Sequence, residues 1–215
     1  MNSAASASQK MASRSPMAQL LHALNQPLTG LQCSMEVALA SPRTAGQYVQ
    51  GLREGLALTE RMRALVEAMR EITDIEEEKN TKPEIAQLSR LLQEAVEELK
   101  PVAESKGVRI FLLGVSEISC VVTAGRAEMA NTIFRLVDSV VSLASRRTAL
   151  QIEVYCESRA IRLRMQWQAE GSRSAHSRPE LGLLIAQARL ERAGAEWERE
   201  AMEAMETLSI RLPGV

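Results

Sequence analysis

Leu21, Leu24, Leu28, Leu31, Met35 and Ala38 recur at alternating spacings of three and four. That is the seam of a helix lying lengthwise against partner helices, and it constrains the fold of this chain more than any other feature. Ser15-Pro16 marks its start, a hydroxyl residue at the N-cap followed by proline at the first helical position. Pro27 falls inside the seam, removes one backbone hydrogen bond and predicts a bend. Ser41-Pro42-Arg43-Thr44 ends the pattern, and Thr44 is placed to cap a second helix running from about Thr44 to Ile75. This helix carries two seams, Val49, Leu52 and Leu56, then Leu58, Met62, Leu65, Met69 and Ile72. Two long helices joined by a short loop form a hairpin. Both carry more apolar surface than one partner can cover, so a second copy is expected, giving a homodimer built on a dimeric four-helix bundle.

The period then changes. Residues 76–83, Glu76 to Pro83, are charged and read as a linker. A helix is expected over about Ser89 to Lys106, with Pro101 as a bend and Gly107 as its stop. Val108–Val115 and Ile118–Thr123 read as strands, and Arg126–Ser145 as a helix. Ala149–Glu157 and Ala160–Gln168 alternate as a strand pair, with Leu150, Ile152, Val154, Ile161, Leu163, Met165 and Trp167 facing one way. A helix over Pro179–Ala193, a stop at Gly194 and strands near Glu196–Glu200 and Thr207–Leu212 complete the chain. Helices over one face of a mostly antiparallel sheet make this half α+β. The expected domains are a disordered tail (1–14), the helical hairpin (15–75), the linker (76–83) and the α/β domain (84–215).

Composition narrows the function classes. A net charge of -1 gives no electrostatic attraction to nucleic acid or to an anionic membrane. Aromatic residues make up 3% of the chain, too few for base-stacking platforms. No apolar run approaches the roughly 20 residues of a membrane span. Cys33, Cys120 and Cys156 have no metal-type spacing and suggest reduced thiols, hence a cytoplasmic protein. The segment before Ser15 lacks the apolar core of a secretory signal.

Chemistry concentrates on the first helix. His22 is one of two histidines, and Asn25 and Gln26 lie within one turn of it. An exposed imidazole on a rigid helix can accept a phosphoryl group and pass it on. His176, in a Ser/Arg-rich loop, reads as solvated. Gln19, His22, Ala23 and Gln26 are expected to share one docking patch, with the small Ala23 permitting close approach.

His22-Ala23-Leu24-Asn25-Gln26-Pro27-Leu28-Thr29-Gly30 resembles the H-box of two-component histidine kinases. Leu88 to Val96 is similar to the opening of that family's ATP-binding domain, Glu180-Leu181-Gly182-Leu183-Leu184-Ile185-Ala186 to its second glycine box, and Leu208 to Pro213 to its closing strand. The resemblance implies a dimerisation and histidine-phosphotransfer hairpin followed by a kinase-type ATPase α/β sandwich. The departures matter as much. The family's acidic residue after the histidine is Ala23 here, and its magnesium- and phosphate-holding asparagines correspond to Arg135 and Ser139. Its adenine-recognising Asp-x-Gly-x-Gly element has no counterpart, since Gln166 to Ser177 holds only Gly171. Without these groups magnesium loses its oxygen ligand, and the sandwich reads as degenerate.

The resemblance is therefore strongest to the dimeric histidine phosphotransferases, which take a phosphoryl group from one receiver domain's aspartate and give it to another. It implies His22 as phosphoacceptor, Asn25 and Gln26 as orienting residues, and Gln19 and Ala23 in receiver docking. No cofactor is expected on this chain, and Mg2+ is expected on the partner receiver. Partners are response-regulator receiver domains and a second copy, without nucleic acid or membrane. Two alternatives remain, a sensor histidine kinase core with a divergent ATP site and a non-catalytic receiver-docking dimerisation module.

Overall fold

A computed structural model of the chain describes residues 15–78, 85–114, 121–123, 125–157, 160–169 and 177–213. Two long helices come first, α1 (Pro16–Ala40) and α2 (Ala45–Glu77). Thr44 caps α2 in a reciprocal box: its hydroxyl accepts from the Gln47 backbone N–H, and the Gln47 side chain accepts from the Thr44 backbone N–H. Ser15 occupies the α1 N-cap but makes no side-chain cap bond, so Pro16 alone supplies the local start signal. α1 continues through Pro27 without a break, since a proline ring costs one bond and the rest of the seam holds the helix.

The second half contains β1 (Ile85–Gln87), α3 (Leu88–Lys106), β2 (Arg109–Leu113), β3 (Val121–Thr123), α4 (Arg126–Leu143), β4 (Ala149–Glu157), β5 (Ala160–Gln168), α5 (Arg178–Arg192), β6 (Glu196–Met202) and β7 (Met205–Pro213). The main sheet has the order β2-β4-β5-β7-β6. Only β2 and β4 run parallel; the remaining neighbours are antiparallel. β3 does not join this sheet. It pairs with β1, a strand too short to show in the sequence, in a separate two-stranded ribbon. Gly107 stops α3 in the left-handed region at φ 74°, which costs a residue without a Cβ nothing.

The alternation expected for β4 and β5 holds. Leu150, Ile152, Leu163, Met165 and Trp167 are buried beneath Leu92, Ile133, Leu136, Val140 and Ala186 of α3, α4 and α5. The architecture is α+β, a helical hairpin followed by a sandwich of three helices on a mixed sheet. Cys156 on β4 is disulfide-bonded, contrary to the expectation of three reduced thiols. Spacing along a chain does not tell which cysteines a fold sets side by side. Cys33 is free and exposed, and Cys120 lies outside the described residues, as do His176, the tail before Ser15 and most of the expected linker.

Candidate functional site

α1 has three distinct stripes. Pro16, Leu20, Ala23 and Pro27, spaced by four, three and four, are buried. His22, Asn25, Gln26 and Thr29 form an exposed polar stripe. Leu21, Leu28 and Met35 of the predicted seam remain more than half exposed, at 53%, 53% and 59%. At 100° per residue, neighbours in sequence face different directions, so His22 looks into solvent while Ala23 does not.

The structure thus brings His22, Asn25 and Gln26 together on one open face. Thr29 Oγ1 donates to the Asn25 backbone carbonyl at 2.9 Å. Gln19 is half-buried at the edge of this face. Ala23 corrects the expectation: at 0% exposure it cannot belong to a docking patch. It lies in an apolar cluster with Leu20 from α1, Leu65, Ala68, Ile72 and Ile75 from α2, and Leu181 and Ile185 from α5.

α5 is the element the sequence reading understood least. Its Leu183, Ala186 and Leu190 face the sandwich core, while Leu181 and Ile185 face the hairpin. Polar contacts flank that second interface. Arg135 on α4 donates to Glu71 on α2 at 2.8 Å. Arg189 on α5 reaches Glu128 at 3.0 Å and Glu78 at 3.6 Å. The Arg192 guanidinium donates to the main-chain carbonyls of Ile75 and Glu78, at the C-terminal end of α2 where carbonyls lack helical partners. The available signal was an apolar pattern in Leu181 to Leu190 too broad for a helix covered on one side.

The two positions corresponding to the family's asparagines both lie on α4. Arg135 is engaged with Glu71, and Ser139 is buried beneath Gly182 of α5. A Cβ placed on Gly182 would stand 2.3 Å from Ser139 Oγ, so the two helix backbones are in close approach. An open cavity of about 1560 Å³ lies beside these contacts between α2, α4 and α5, walled by Glu60, Arg61 and Glu67 on one side and Asn131, Asp138 and Arg178 on the other. His22 is not among the residues lining it.

Arg199 on β6 bonds Glu180 in the first turn of α5 through two nitrogens (2.7 and 3.0 Å) and Glu206 on β7 through two more contacts. Its guanidinium also lies 5.8 Å from the ring of the fully buried Trp167. Burial alone lowers the Arg199 pKa, but the bonds and charges of Glu180 and Glu206 outweigh it and hold the group above its ordinary value. No group of metal-ligating side chains occurs among the described residues.

No family profile matches this chain, and no curated protein does. Solved structures do. The histidine kinase AdeS of Acinetobacter baumannii superposes with a TM-score of 0.56 at 15% identity, covering 89% of this chain and 97% of that one. The histidine kinase ThkA, solved in complex with the response regulator protein TrrA, gives 0.59 at 15% identity over 92% of this chain and 60% of that one. Full-length ShkA in complex with AMPPNP gives 0.57 at 13% identity over 95% and 46%. At such identities the likeness is one of architecture, and this chain has the fold of a histidine kinase core, helical hairpin and ATPase-type sandwich together.

Proposed function

We propose that this chain is a histidine phosphotransferase of a two-component phosphorelay. It accepts a phosphoryl group on His22 from a receiver-domain aspartate and passes it to another receiver. The observation that carries this reading is the contrast between the two halves of the site. His22 is exposed on a rigid helix, whereas the positions resembling the family's nucleotide-holding asparagines are a guanidinium paired with Glu71 and a serine buried under Gly182.

The chemistry asks little of the acceptor. An imidazole nitrogen attacks the phosphorus of the aspartyl phosphate in line, the N–P bond forms, and the P–O bond to the aspartate breaks with the electron pair leaving on the carboxylate. The donor is already an activated acyl phosphate, so no neighbouring base is required, and Ala23 fits that economy. Mg2+ held by the receiver neutralises the charge on the transferred oxygens, and the helix contributes position. Asn25 and Gln26 orient the imidazole from the next turn.

A homodimer goes with this reading. Leu21, Leu28 and Met35 of α1 and Val49, Leu52 and Leu56 of α2 stay between 46% and 74% exposed in the single chain, a stripe that a second hairpin would cover. Sedimentation at micromolar concentration tests it, and a monomer would count against it. No described helix is long and apolar enough to cross a membrane.

A second reading, an ATP-dependent histidine kinase core with a divergent nucleotide site, is favoured by the structural likeness to AdeS and ThkA, both histidine kinases. One experiment separates the two. The protein is incubated with labelled ATP alone, then with a receiver phosphorylated by a small-molecule phosphodonor. The relay reading expects label on His22 only from the receiver; label from ATP alone would establish the kinase instead.

A further inference from the structure

We propose that Ala23 is a positioning residue: it is the seat on which α5 locks the sandwich against the hairpin, holding His22 open to an outside partner and out of reach of the chain's own α4–α5 cavity. The inference rests on reading His22 as the phosphoacceptor. The resemblance puts an acidic residue directly after the histidine, and here that position has no access to water at all.

The geometry explains the replacement. Ala23 belongs to an apolar cluster drawn from three helices, which also holds Leu20, Leu65, Ala68, Ile72 and Ile75 of the hairpin and Leu181 and Ile185 of α5. Interiors are packed too densely to admit four more heavy atoms without displacement. A carboxylate there would also be buried among aliphatic groups, which forces either neutralisation or separation of the helices. Position 23 therefore cannot combine a base with this contact.

The lock has an axial register as well as a seat. Arg192 grips the carbonyl end of α2, Arg189 reaches Glu78, and Arg135 reaches Glu71. These three contacts lie on the last two turns of α2 and its C-cap and fix that end of the hairpin against the sandwich. In the locked arrangement the cavity of α4 and α5 faces Glu60, Arg61 and Glu67 of α2, not His22. The loss of an acidic neighbour and the docked domain are then one device, which commits His22 to phosphoryl groups arriving from outside.

The test uses the full chain with Ala23→Glu and, from the opposite side of the contact, Leu181→Asp. Small-angle X-ray scattering reads domain separation, and circular dichroism reads whether the fold survives. Both variants are expected to keep their helix content while the radius of gyration rises and the distance distribution broadens; Ala23→Ser should scatter like wild type. In transfer from a phosphorylated receiver, Leu181→Asp, which leaves α1 unaltered, should raise KM several-fold with kcat little changed. Should Ala23→Glu fail to fold, Leu181→Asp decides. Scattering unchanged in a folded variant would overturn the proposal. A locked wild type that receives no label from any receiver would instead sink the relay reading and leave the lock standing.

Discussion

Gly182 and Ser139 meet so closely that the glycine's missing side chain is part of the α4–α5 contact: a Cβ at 182 would lie 2.3 Å from Ser139 Oγ. Ser139 is only 3% exposed, so its hydroxyl has little freedom to turn aside. Two opposing effects decide Gly182→Ala. Alanine improves helix propensity by about 1 kcal/mol, while overpacking costs about 1–3 kcal/mol. Alone, the substitution should destabilise by about 1 kcal/mol, the difference of those terms. In a Ser139→Ala background, where the nearest remaining atom is Ser139 Cβ at 3.6 Å, it should become stabilising. Urea unfolding of the four members of the cycle checks this, and additive effects would show that the close approach is not real.

The same approach bears on restoring the asparagines. Ser139→Asn is larger than the space under Gly182 allows, and Arg135→Asn gives up the bond to Glu71. The double variant is expected to lose stability and to gain no labelling of His22 from ATP. Label appearing from ATP would mean that the sandwich needs only its asparagines to work as a kinase.

Much of this fold was legible in the sequence because it is written in short-range periodicity. The helix α1, the strands Ala149–Glu157 and Ala160–Gln168 and the stops at Gly107 and Gly194 all depend on neighbours within a few residues. What was not legible depends on two distant segments meeting. Ala23 read as a small exposed residue because nothing near it in sequence reveals Leu181 and Ile185, some 160 residues away. β1 was missed because three residues carry no measurable alternation, and its partner Val121–Thr123 was recognised as a strand without a sheet to place it in. The exposure of His22, Asn25 and Gln26 agrees with one helical face, the same geometry that misplaced Ala23.

Magnitudes separate the parts of the inter-domain contact. Arg135 and Glu71 have side chains 40% and 34% exposed, a setting in which an ion pair contributes about 0–1 kcal/mol. Leu65 and Ile72 are 0% and 1% exposed in the apolar cluster, where truncation to alanine costs about 2–5 kcal/mol. Leu65→Ala and Ile72→Ala should therefore lower stability several times more than Glu71→Gln, with the ion pair supplying register more than strength. A double-mutant cycle on Arg135 and Glu71 measures the coupling directly, and a value of several kcal/mol would reverse this ranking.

Arg199 presents a different balance. Its partners Glu180 and Glu206 have side chains only 13% exposed, and together they hold its charge at every pH at which the protein folds. A raised arginine pKa adds stability that is present below its unfolded value and would fade only as pH rose through the folded one, beyond any working range. Alkaline conditions up to pH 10 should thus leave this network intact. Arg199→Met, by contrast, strands two nearby carboxylates and should cost about 3–5 kcal/mol, a loss that Glu180→Gln combined with Glu206→Gln in the same chain should partly recover. Thermal unfolding of the single and triple variants provides the comparison.

His22 itself should be nearly silent in stability. It is exposed on α1 and outside both apolar clusters, so His22→Ala should shift unfolding by no more than about 0.5 kcal/mol, as for a surface substitution away from caps and buried networks. Its effect on transfer should be total, because the sequence's other histidine, His176, lies outside the hairpin and has no Asn-Gln pair following it. If His22 is the nucleophile and its neighbours orient it, as proposed, Asn25→Ala and Gln26→Ala should slow transfer by about 10- to 100-fold, the range expected when a reacting group is mispositioned. Rates measured against a single phosphorylated receiver grade the three positions. Equal, small losses at all three would mean that the exposed face of α1 docks a partner without chemistry passing through it.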